Sequence, residues 1–228
     1  METTTQGPHS VMLVDDHPIV RKGMAVLINQ EPDLAVKSEA SNAAEALQKL
    51  RASIPDVIVI DVSLGFGTNG IDLTKSIKER LPQVPILILS MHDEALYAER
   101  ALRAGARGYI MKHEAADKII QAIQTVLAGN IYLSSTLASK VLRDMVDGIK
   151  PSEADLYGMD RLSDRELEVF ELIGRGYTTR RVAEVLNLSI KTIETHRAHI
   201  KQKLKLKNAT ELVHRAYHWI ENSTSNPI

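Results

Sequence analysis

The eight residues from Asp56 to Ser63, with the sequence DVIVIDVS, constrain the fold more than any other stretch of this chain. Their apolar, β-branched centre lacks the polar alternation of a half-exposed strand. It therefore predicts a strand that is buried on both faces in the middle of a parallel sheet. Asp61 follows at the carboxyl end, where open α/β sheets place their ligands. The sequence thus predicts a functional carboxylate at this edge of the sheet.

Three other apolar runs end in polar residues in the same way. They are Val11 to Val14 before Asp15 and Asp16, Ile86 to Leu89 before Ser90, and Tyr109 to Met111 before Lys112. If these strands are parallel neighbours, their carboxyl ends bring three carboxylates, a hydroxyl and an ammonium group together. Carboxylate oxygens and water are the usual ligands of magnesium. This edge is therefore predicted to hold Mg²⁺ and a phosphoryl group.

Helical patterns alternate with strand-like runs through the first 130 residues. The predicted helices are Pro18 to Ile28, one capped by Ser41, Ile71 to Arg80, Glu94 to Ala104 and Ala115 to Leu127, and a further strand covers Leu34 to Ala40. The first helix is expected to turn four residues towards the core, namely Ile19, Gly23, Val26 and Leu27. Five strands alternating with five helices predict an α/β fold, a doubly wound five-stranded parallel sheet.

The pattern changes after Leu133. Ser134 or Ser135 caps a short helix to about Val146, and residues 147–161 combine Gly, Pro, Ser and acids with little apolar periodicity. From Leu162 to Trp219 the apolar pattern is helical throughout. The sequence therefore predicts one domain at 9–130, a linker with a short helix at 131–161, and a small all-α domain at 162–222.

Capping residues mark three helix starts in the second domain. They are the capping box from Ser163 to Glu166, Thr178 or Thr179, and Ser189. The third helix runs from about Lys191 to Leu204 and follows the second after a short turn. Two short helices joined in this way predict a helix-turn-helix.

The third helix separates an apolar seam from a polar face. At about 100° per residue, Ile193, Ile200 and Leu204 fall on one line. The opposite side carries Lys191, Glu194, Thr195, Ala198, Lys201, Gln202 and Lys205. Between Lys191 and Lys207 there are six basic residues against one acid, although the whole chain has a net charge of -1. Such a stripe is either a solvated helix face or a polyanion site, and small central side chains flanked by lysines favour the DNA major groove.

Composition excludes several other classes of function. The 228 residues include no cysteine, which removes disulfide and thiolate chemistry and fits a cytosolic protein. Residues 1–10 lack the basic and apolar regions of a signal peptide, and no apolar run is long enough to span a membrane. We therefore expect a cytoplasmic protein of two domains that has no membrane partner.

Taken together, these motifs resemble a two-component response regulator of the NarL/FixJ type over nearly the whole chain. The first half is similar to a receiver domain through DDHP at 15–18, Asp61, Ser90 and GYIMK at 108–112. The second half resembles the LuxR-type helix-turn-helix through LSDRE at 162–166 and KTIETHR at 191–197. The resemblance implies the flavodoxin-like strand order 2-1-3-4-5 and DNA binding that is gated by phosphorylation. The implied partners are a sensor histidine kinase, double-stranded promoter DNA, RNA polymerase and a second copy in a phosphorylation-dependent homodimer.

The resemblance also implies roles for individual residues. Asp61 would accept the phosphoryl group, and Mg²⁺ would be held by Asp15, Asp16, Asp61 and the carbonyl oxygen of Ser63. Ser90, Tyr109 and Lys112 would bind the phosphoryl group or respond to it. Contacts with DNA are expected from Lys191, Thr192, Glu194, Thr195, Arg197, Ala198 and Lys201. Such a protein is a phosphoacceptor rather than an enzyme, with at most slow autodephosphorylation.

Two regions depart from the pattern of this family. Gly65 stands where a proline is usual and Gly70 comes one residue late, so the loop between them is expected to be longer and looser. His113 follows Lys112 where a cis proline is common, and a cis bond at a non-proline residue would cost about 3 kcal/mol, so a trans bond is expected. The altered loop keeps open the alternative of a receiver that regulates DNA binding independently of phosphorylation.

Two enzyme classes fit the sequence less well. Phosphatases of the haloacid dehalogenase type carry a second aspartate two residues after the nucleophile, and Ser63 occupies that position here. A dinucleotide-binding Rossmann domain needs a glycine-rich turn after its first strand, whereas this chain has DDHP there.

Overall fold

The structure, a computed structural model, describes residues 7–64, 68–92, 94–146 and 158–224. The chain divides into two compact units, one from Met1 to Leu142 and the other from Arg143 to Ile228. The division falls inside a helix from Ser135 to Val146. Residues 131–134 therefore belong to the first unit, and the domain limits drawn from the sequence remain a prediction.

The first unit is built on a five-stranded parallel sheet with the order β2-β1-β3-β4-β5. The strands are β1 (His9–Val14), β2 (Leu34–Ala40), β3 (Val57–Asp61), β4 (Ile86–Ser90) and β5 (Gly108–Met111). The helices are α1 (Pro18–Ile28), α2 (Ala43–Ala52), α3 (Gly70–Lys78), α4 (Glu94–Arg103), α5 (Ala115–Leu127) and α6 (Ser135–Val146). The predicted doubly wound sheet and its flavodoxin-like order are confirmed.

Strand β3 lies at the centre of the sheet between β1 and β4. All its residues are buried, as the unbroken apolar pattern predicts. Ile60 pairs with Val14 of β1, and Asp61 pairs with Leu89 of β4. This register brings the carboxyl ends of the three strands to one edge, so the polar residues that follow them meet there.

The predicted inner face of α1 was wrong. Ile19 is 84% exposed and Val26 is 59% exposed. The residues that face the sheet are Val20 and Met24, with Ile28 completely buried beside them. Because α1 has two apolar stripes, its periodicity alone does not select the stripe that meets the sheet. One apolar stripe therefore remains on the outer surface of α1.

Asparagines cap the two helices on either side of β3. The side chain of Asn42 accepts a hydrogen bond from the Glu45 N–H at 2.9 Å and caps α2. The prediction of Ser41 as the cap was wrong by one residue, since Ser41 instead donates its N–H and hydroxyl to the Glu45 carboxylate. Asn69 caps α3 by accepting a hydrogen bond from the first turn of that helix. Side-chain amides thus satisfy N–H groups that a helix start leaves open.

Throughout its described residues the second unit is helical. Its elements are a short 3-10 turn (Met159–Arg161), α7 (Asp164–Gly174), α8 (Thr179–Val185), α9 (Ile190–Lys203) and α10 (Ala209–Thr224). Ser163 and Glu166 form the capping box of α7, while Thr178 caps α8 and Ser189 caps α9. Helices α8 and α9, with the turn between them, form the predicted helix-turn-helix.

Helix α10 packs back on α7. The rings of Phe170 and Trp219 lie with their centroids 5.5 Å apart in the core of the unit. A Cβ atom at Gly174 would lie 2.4 Å from the carbonyl oxygen of Ala216, so a side chain at this position would separate the two helices. This close contact holds α7 and α10 together and leaves α9 to present its outer face.

Candidate functional site

Asp61, the last residue of β3, is only 2% exposed. Helix α3 begins directly behind it, and the Gly70 N–H donates to the carbonyl oxygen of Val62 at 2.7 Å. A Cβ atom on Gly70 would lie 2.0 Å from the carbonyl oxygen of Asp61, so glycine is needed for this close approach. Residues 65–67, on which the expectation of a longer and looser loop depends, lie outside the described residues.

An acidic cluster surrounds Asp61 at this edge of the sheet. One potential ligand atom from each of Asp15, Asp16, His17 and Asp61 lies within 4.8 Å of all the others. The backbone N–H of His17 donates to Asp15 at 2.7 Å, which fixes the turn after β1. Three carboxylates at this spacing suit a hard divalent cation such as Mg²⁺. Ligation by the carbonyl oxygen of Ser63 remains a prediction.

Lys112 joins the carboxylates from the opposite side. Its Nζ atom lies 2.7 Å from Asp15 and 2.8 Å from Asp61, and its side chain is 11% exposed. The peptide bond to His113 is trans, as expected. Side chains that follow β1, β3 and β5 therefore meet around one small volume, although they are separated by up to about 100 residues in the chain.

The charges in this cluster perturb one another. Burial is the main reason why the pKa of Asp61 is raised to about 7, with Lys112 opposing the rise and Asp15 adding to it. Burial alone would lower the pKa of Lys112, but the Asp61 and Asp15 carboxylates raise it above its ordinary value. Lys112 is thus a fixed cation that does not balance all the acids around it. A divalent cation beside Asp61 would favour its ionised form.

Ser90 ends β4 and Tyr109 lies in β5, and both are fully buried. The hydroxyl of Ser90 accepts a hydrogen bond from the N–H of His92 at 2.9 Å. The hydroxyl of Tyr109 donates to the carbonyl oxygen of His92 at 2.7 Å. Both predicted residues therefore hold the backbone of the segment that leads from β4 to α4.

The contacts of His92 were not predicted from the sequence. Its Nε2 atom lies 2.9 Å from the hydroxyl of Ser63, and its ring stacks on the buried Tyr97 of α4 with a centroid distance of 4.5 Å. The backbone N–H of Ser63 also donates to the Asp61 carboxylate. His92 has no ligand spacing with other histidines, so these contacts became apparent only when the loops after β3 and β4 met.

The predicted DNA-binding face of α9 lies on the surface. Of the predicted seam, Ile193 and Ile200 are completely buried and fix the rotation of the helix, whereas Leu204 is only partly buried. Among the predicted contacts, four are exposed: Lys191, Glu194, Thr195 and Ala198. The other three are partly buried: Thr192, Arg197 and Lys201.

Two cations of the basic stripe are engaged inside the second unit. The Arg197 side chain is 14% exposed, with its Nε atom 3.7 Å from the Glu194 carboxylate. The Nζ atom of Lys203 lies 2.6 Å from the carboxylate of Glu166. Burial alone would raise the pKa of Glu166, but the contact with Lys203 contributes to a net lowering of that pKa. Lys203 thus supports the capping box of α7 instead of extending the free basic surface. The pattern of the sequence could not show this, because the partner is 37 residues away.

Comparisons with known proteins agree with both units. A family profile described as "Response regulator receiver domain" matches residues 11–124. A second profile, described as "Bacterial regulatory proteins, luxR family", matches residues 160–216. The fold and the matched profiles thus define a response regulator that carries a DNA-binding domain.

Individual relatives cover nearly the whole chain. The oxygen regulatory protein NreC of Staphylococcus carnosus is 37% identical over 207 residues, which are 90% of this chain and 95% of NreC. Among solved structures, RcsB of Salmonella enterica serovar Typhimurium, bound to promoter rprA in the presence of the phosphomimetic BeF3-, has a TM-score of 0.58 and 26% identity. That match covers 92% of this chain and 98% of RcsB.

A LuxR-family response regulator from Aurantimonas sp. SI85-9A1 is 39% identical with a TM-score of 0.57, covering 61% of this chain and 99% of its own. The chain belongs to the NarL/FixJ family of two-component response regulators. None of the helices in the described ranges is both long and apolar enough to cross a bilayer.

Proposed function

We propose that this protein is a phosphorylation-gated transcriptional regulator of the cytoplasm. Asp61 accepts a phosphoryl group from a sensor histidine kinase, and the phosphorylated protein binds promoter DNA as a homodimer. The observation that carries the proposal is the position of Lys112, whose Nζ atom lies within 2.8 Å of both Asp61 and Asp15. A buried ammonium between two carboxylates is what a transferred phosphoryl group needs as its counter-charge.

Phosphoryl transfer to Asp61 follows directly from these groups. An oxygen of the Asp61 carboxylate forms the new bond to phosphorus, and the bond from phosphorus to the imidazole nitrogen of the kinase breaks. Lys112 binds an oxygen of the transferred group and stays protonated because Asp61 and Asp15 raise its pKa. Asp15, Asp16, Asp61 and the Ser63 carbonyl would hold Mg²⁺, which would supply positive charge to offset the charge of the phosphoryl oxygens. The chain acts as a phosphoacceptor and needs no other catalytic group.

The response to phosphorylation starts at Ser90 and Tyr109. The hydroxyl of Ser90 turns from the N–H of His92 to an oxygen of the phosphoryl group, which frees the backbone that follows β4. Tyr109 already holds the carbonyl of His92, so it stabilises the displaced segment from the interior. Phosphorylation therefore selects between two positions of the start of α4.

The apolar outer stripe of α1 favours one of two candidate dimer surfaces. Ile19 and Val26 are 84% and 59% exposed on α1, next to α5. The surface around α4 instead presents charged side chains, including the exposed pair of Glu99 and Arg103. Burying an exposed apolar stripe in a dimer contact contributes more favourable free energy than burying solvated ion pairs does. We therefore assign the homodimer contact to α1 and α5 rather than to α4, β5 and α5.

On the DNA side, α9 enters the major groove. Lys191 and Lys201 contact phosphates at the flanks of the face, and Glu194, Thr195 and Ala198 meet base edges. Thr192 and Arg197 support this face from its margin. Two copies bring two such helices to one duplex, which raises affinity through effective concentration. A promoter-bound dimer would then act on RNA polymerase.

The direct test is phosphorylation by a small donor. Intact mass after incubation with Mg²⁺ and acetyl phosphate should show the gain of one phosphate, and Asp61→Asn should remove it. Asp56→Asn is a matched control, because Asp56 precedes the opposite end of β3 and should leave labelling unchanged. Labelling of Asp61→Asn equal to that of the unaltered chain would contradict the proposal. If Asp61→Asn bound promoter DNA as tightly as the phosphorylated unaltered protein, the result would instead favour a receiver that regulates DNA binding independently of phosphorylation.

A further inference from the structure

The segment 131–134, which connects α5 to α6, is attached to the edge of the sheet beside the switch residue Tyr109. The Tyr132 N–H donates to the carbonyl of Arg107 at 2.9 Å, and the Tyr132 carbonyl accepts from the Tyr109 N–H at 3.0 Å. A Cβ atom on Gly108 would lie 3.0 Å from both the Cβ and the carbonyl oxygen of Tyr132, so the glycine permits this pairing. The chain entering α6 is thus fixed to β5.

The same segment is also fixed to α4. The carboxylate of Glu94, the first residue of α4, accepts hydrogen bonds from the N–H of Ser134, at 3.0 Å, and from its hydroxyl. The Ser134 hydroxyl in turn accepts from the N–H of Leu137 at 3.1 Å, which caps α6. We call these bonds among Glu94, Ser134 and Leu137 the Glu94 clasp.

We propose that the Glu94 clasp transmits the phosphorylation state from α4 to α6, the helix that leads into the second unit. The inference rests on the proposed function, since it needs a phosphoryl group at Asp61 that moves the start of α4. It goes beyond that function by naming the contact through which the movement leaves the receiver. Glu94 is a positioning residue in this scheme and touches neither phosphate nor DNA.

The geometry gives the clasp two anchors that move differently. Tyr132 follows β5, whereas Glu94 follows the start of α4, two residues after His92. When Ser90 releases the N–H of His92, α4 shifts relative to β5, and Ser134 cannot follow both. The cap of α6 must then rearrange, because the hydroxyl that caps α6 is the one that Glu94 holds. A hydrogen-bonded helix cap is a two-state element that a small displacement can open.

Hydrogen-deuterium exchange on the full-length protein tests the clasp. Amides of α4 and of α6 are compared with and without Mg²⁺ and acetyl phosphate, and intact mass reports phosphorylation of the same samples. In the unaltered protein, exchange should change in both helices. In Glu94→Ala and in Ser134→Ala, the change in α4 should persist, while the change in α6 should disappear. The double variant should lose no more of the phosphorylation-dependent change in α6 exchange than either single variant does.

Two variants separate coupling from local stability. Glu99→Ala removes a carboxylate from the exposed side of α4, where it pairs with Arg103, so both helices should still respond. Ser134→Thr keeps a hydroxyl at the cap and should restore the response of α6. Circular dichroism checks that every variant retains its helix content. If one of Glu94→Ala and Ser134→Ala unfolds, the other is used for the test.

Each result bears on one proposal. An α6 response that persists in both clasp variants would overturn the inference, as would a phosphorylated unaltered protein in which α4 responds and α6 does not. Either result would leave the phosphorylation of Asp61 intact. Absence of any phosphate on the unaltered protein would instead contradict the proposed function, whatever α6 does.

Discussion

The acidic site of the first unit and the outer face of α9 are both charged, but they are built in opposite ways. Asp15, Asp61 and Lys112 lie at the ends of three strands and are nearly buried, with the Lys112 Nζ atom within 2.8 Å of both carboxylates. Glu194 and Lys201 come from one helix and lie at or near its surface. Buried charges at contact distance depend strongly on each other, whereas screened surface charges act almost independently.

The contrast predicts different responses to substitution. In the acidic site, removing one charge changes the surroundings of every charge in contact with it, so the effects should be large and non-additive. On α9, each substitution should remove one contact and leave the others in place. The substitutions that follow probe this difference, from the largest expected effect to the smallest.

Asp16→Ala should give the largest effect. It removes one of three carboxylates at metal-binding distance, and loss of a ligand should slow Mg²⁺-dependent phosphorylation of Asp61 by about 100-fold or more. The measurement is the rate of mass gain with acetyl phosphate. Asp72→Asn, an exposed carboxylate on α3, serves as the control and should react normally. A normal rate in Asp16→Ala would remove Asp16 from the metal site.

Asp61→Asn should stabilise the protein in the absence of Mg²⁺. The pKa of Asp61 is raised to about 7 in the folded state, so above pH 7 the fold holds a carboxylate that it disfavours. Asparagine removes this cost, and we expect a gain of the order of 1 to 4 kcal/mol in the free energy of unfolding at pH 8. Urea denaturation with a chelator present measures it.

The pH dependence gives the sign of this effect. Between the unfolded pKa, near 4, and the folded pKa, the folded state binds the proton more tightly, so the stability of the unaltered protein falls as pH rises. The advantage of Asp61→Asn should therefore be complete above pH 7 and shrink steadily as pH falls towards 4. A gain that is equal at pH 5 and pH 8 would show that Asp61 is not the titrating group.

Glu194→Gln should change sequence preference more than overall affinity. A glutamate in mid-face can accept a hydrogen bond from a cytosine amino group, and loss of this contact should cost about 1 to 3 kcal/mol of discrimination at one base position. Selection from a random duplex library with each phosphorylated protein measures the preference. Glu184→Gln, on the exposed side of α8, is the control. Equal losses on selected and random DNA would count against base contact by Glu194.

Lys201→Ala and Lys203→Ala should separate two neighbouring lysines, with the smallest effects. Lys201 is assigned to phosphate, so its loss should flatten the salt dependence of binding by about one unit. Lys203 pairs with Glu166, so its loss should leave that slope unchanged and lower the free energy of unfolding by about 0.5 to 1 kcal/mol. Binding titrations over a range of salt concentrations and urea denaturation provide both readings. If Lys203→Ala flattened the salt dependence and Lys201→Ala only lowered the free energy of unfolding, the roles assigned to the two lysines would be wrong.

The sequence predicted features that depend on one strand or one helix better than features that depend on how two elements meet. The strands and the meeting of Asp15, Asp61 and Lys112 were predictable, because buried parallel strands are apolar throughout and their ends share one edge. The order of the strands was implied by the resemblance to receiver domains. The inner face of α1 was not, because Ile19 and Val26 form a second apolar stripe. Periodicity describes one helix at a time and carries no information about its neighbour.

Contacts between distant side chains remained hidden for a related reason. His92 reaches Ser63, Glu94 reaches Ser134, and Lys203 reaches Glu166, each across 29 residues or more. None of these pairs has a spacing that a motif could reveal. They depend on how two loops or two helices meet, which only the folded chain determines.

Sedimentation velocity of the full-length protein, with and without Mg²⁺ and acetyl phosphate, tests the central claim most directly. The unaltered protein should sediment as a monomer without phosphate and as a dimer once Asp61 is phosphorylated, and Asp61→Asn should remain monomeric in both conditions. Ile19→Lys, on the exposed stripe of α1, should accept phosphate and remain a monomer. Unchanged sedimentation of the fully phosphorylated protein, or equal dimerisation of Asp61→Asn, would contradict the account.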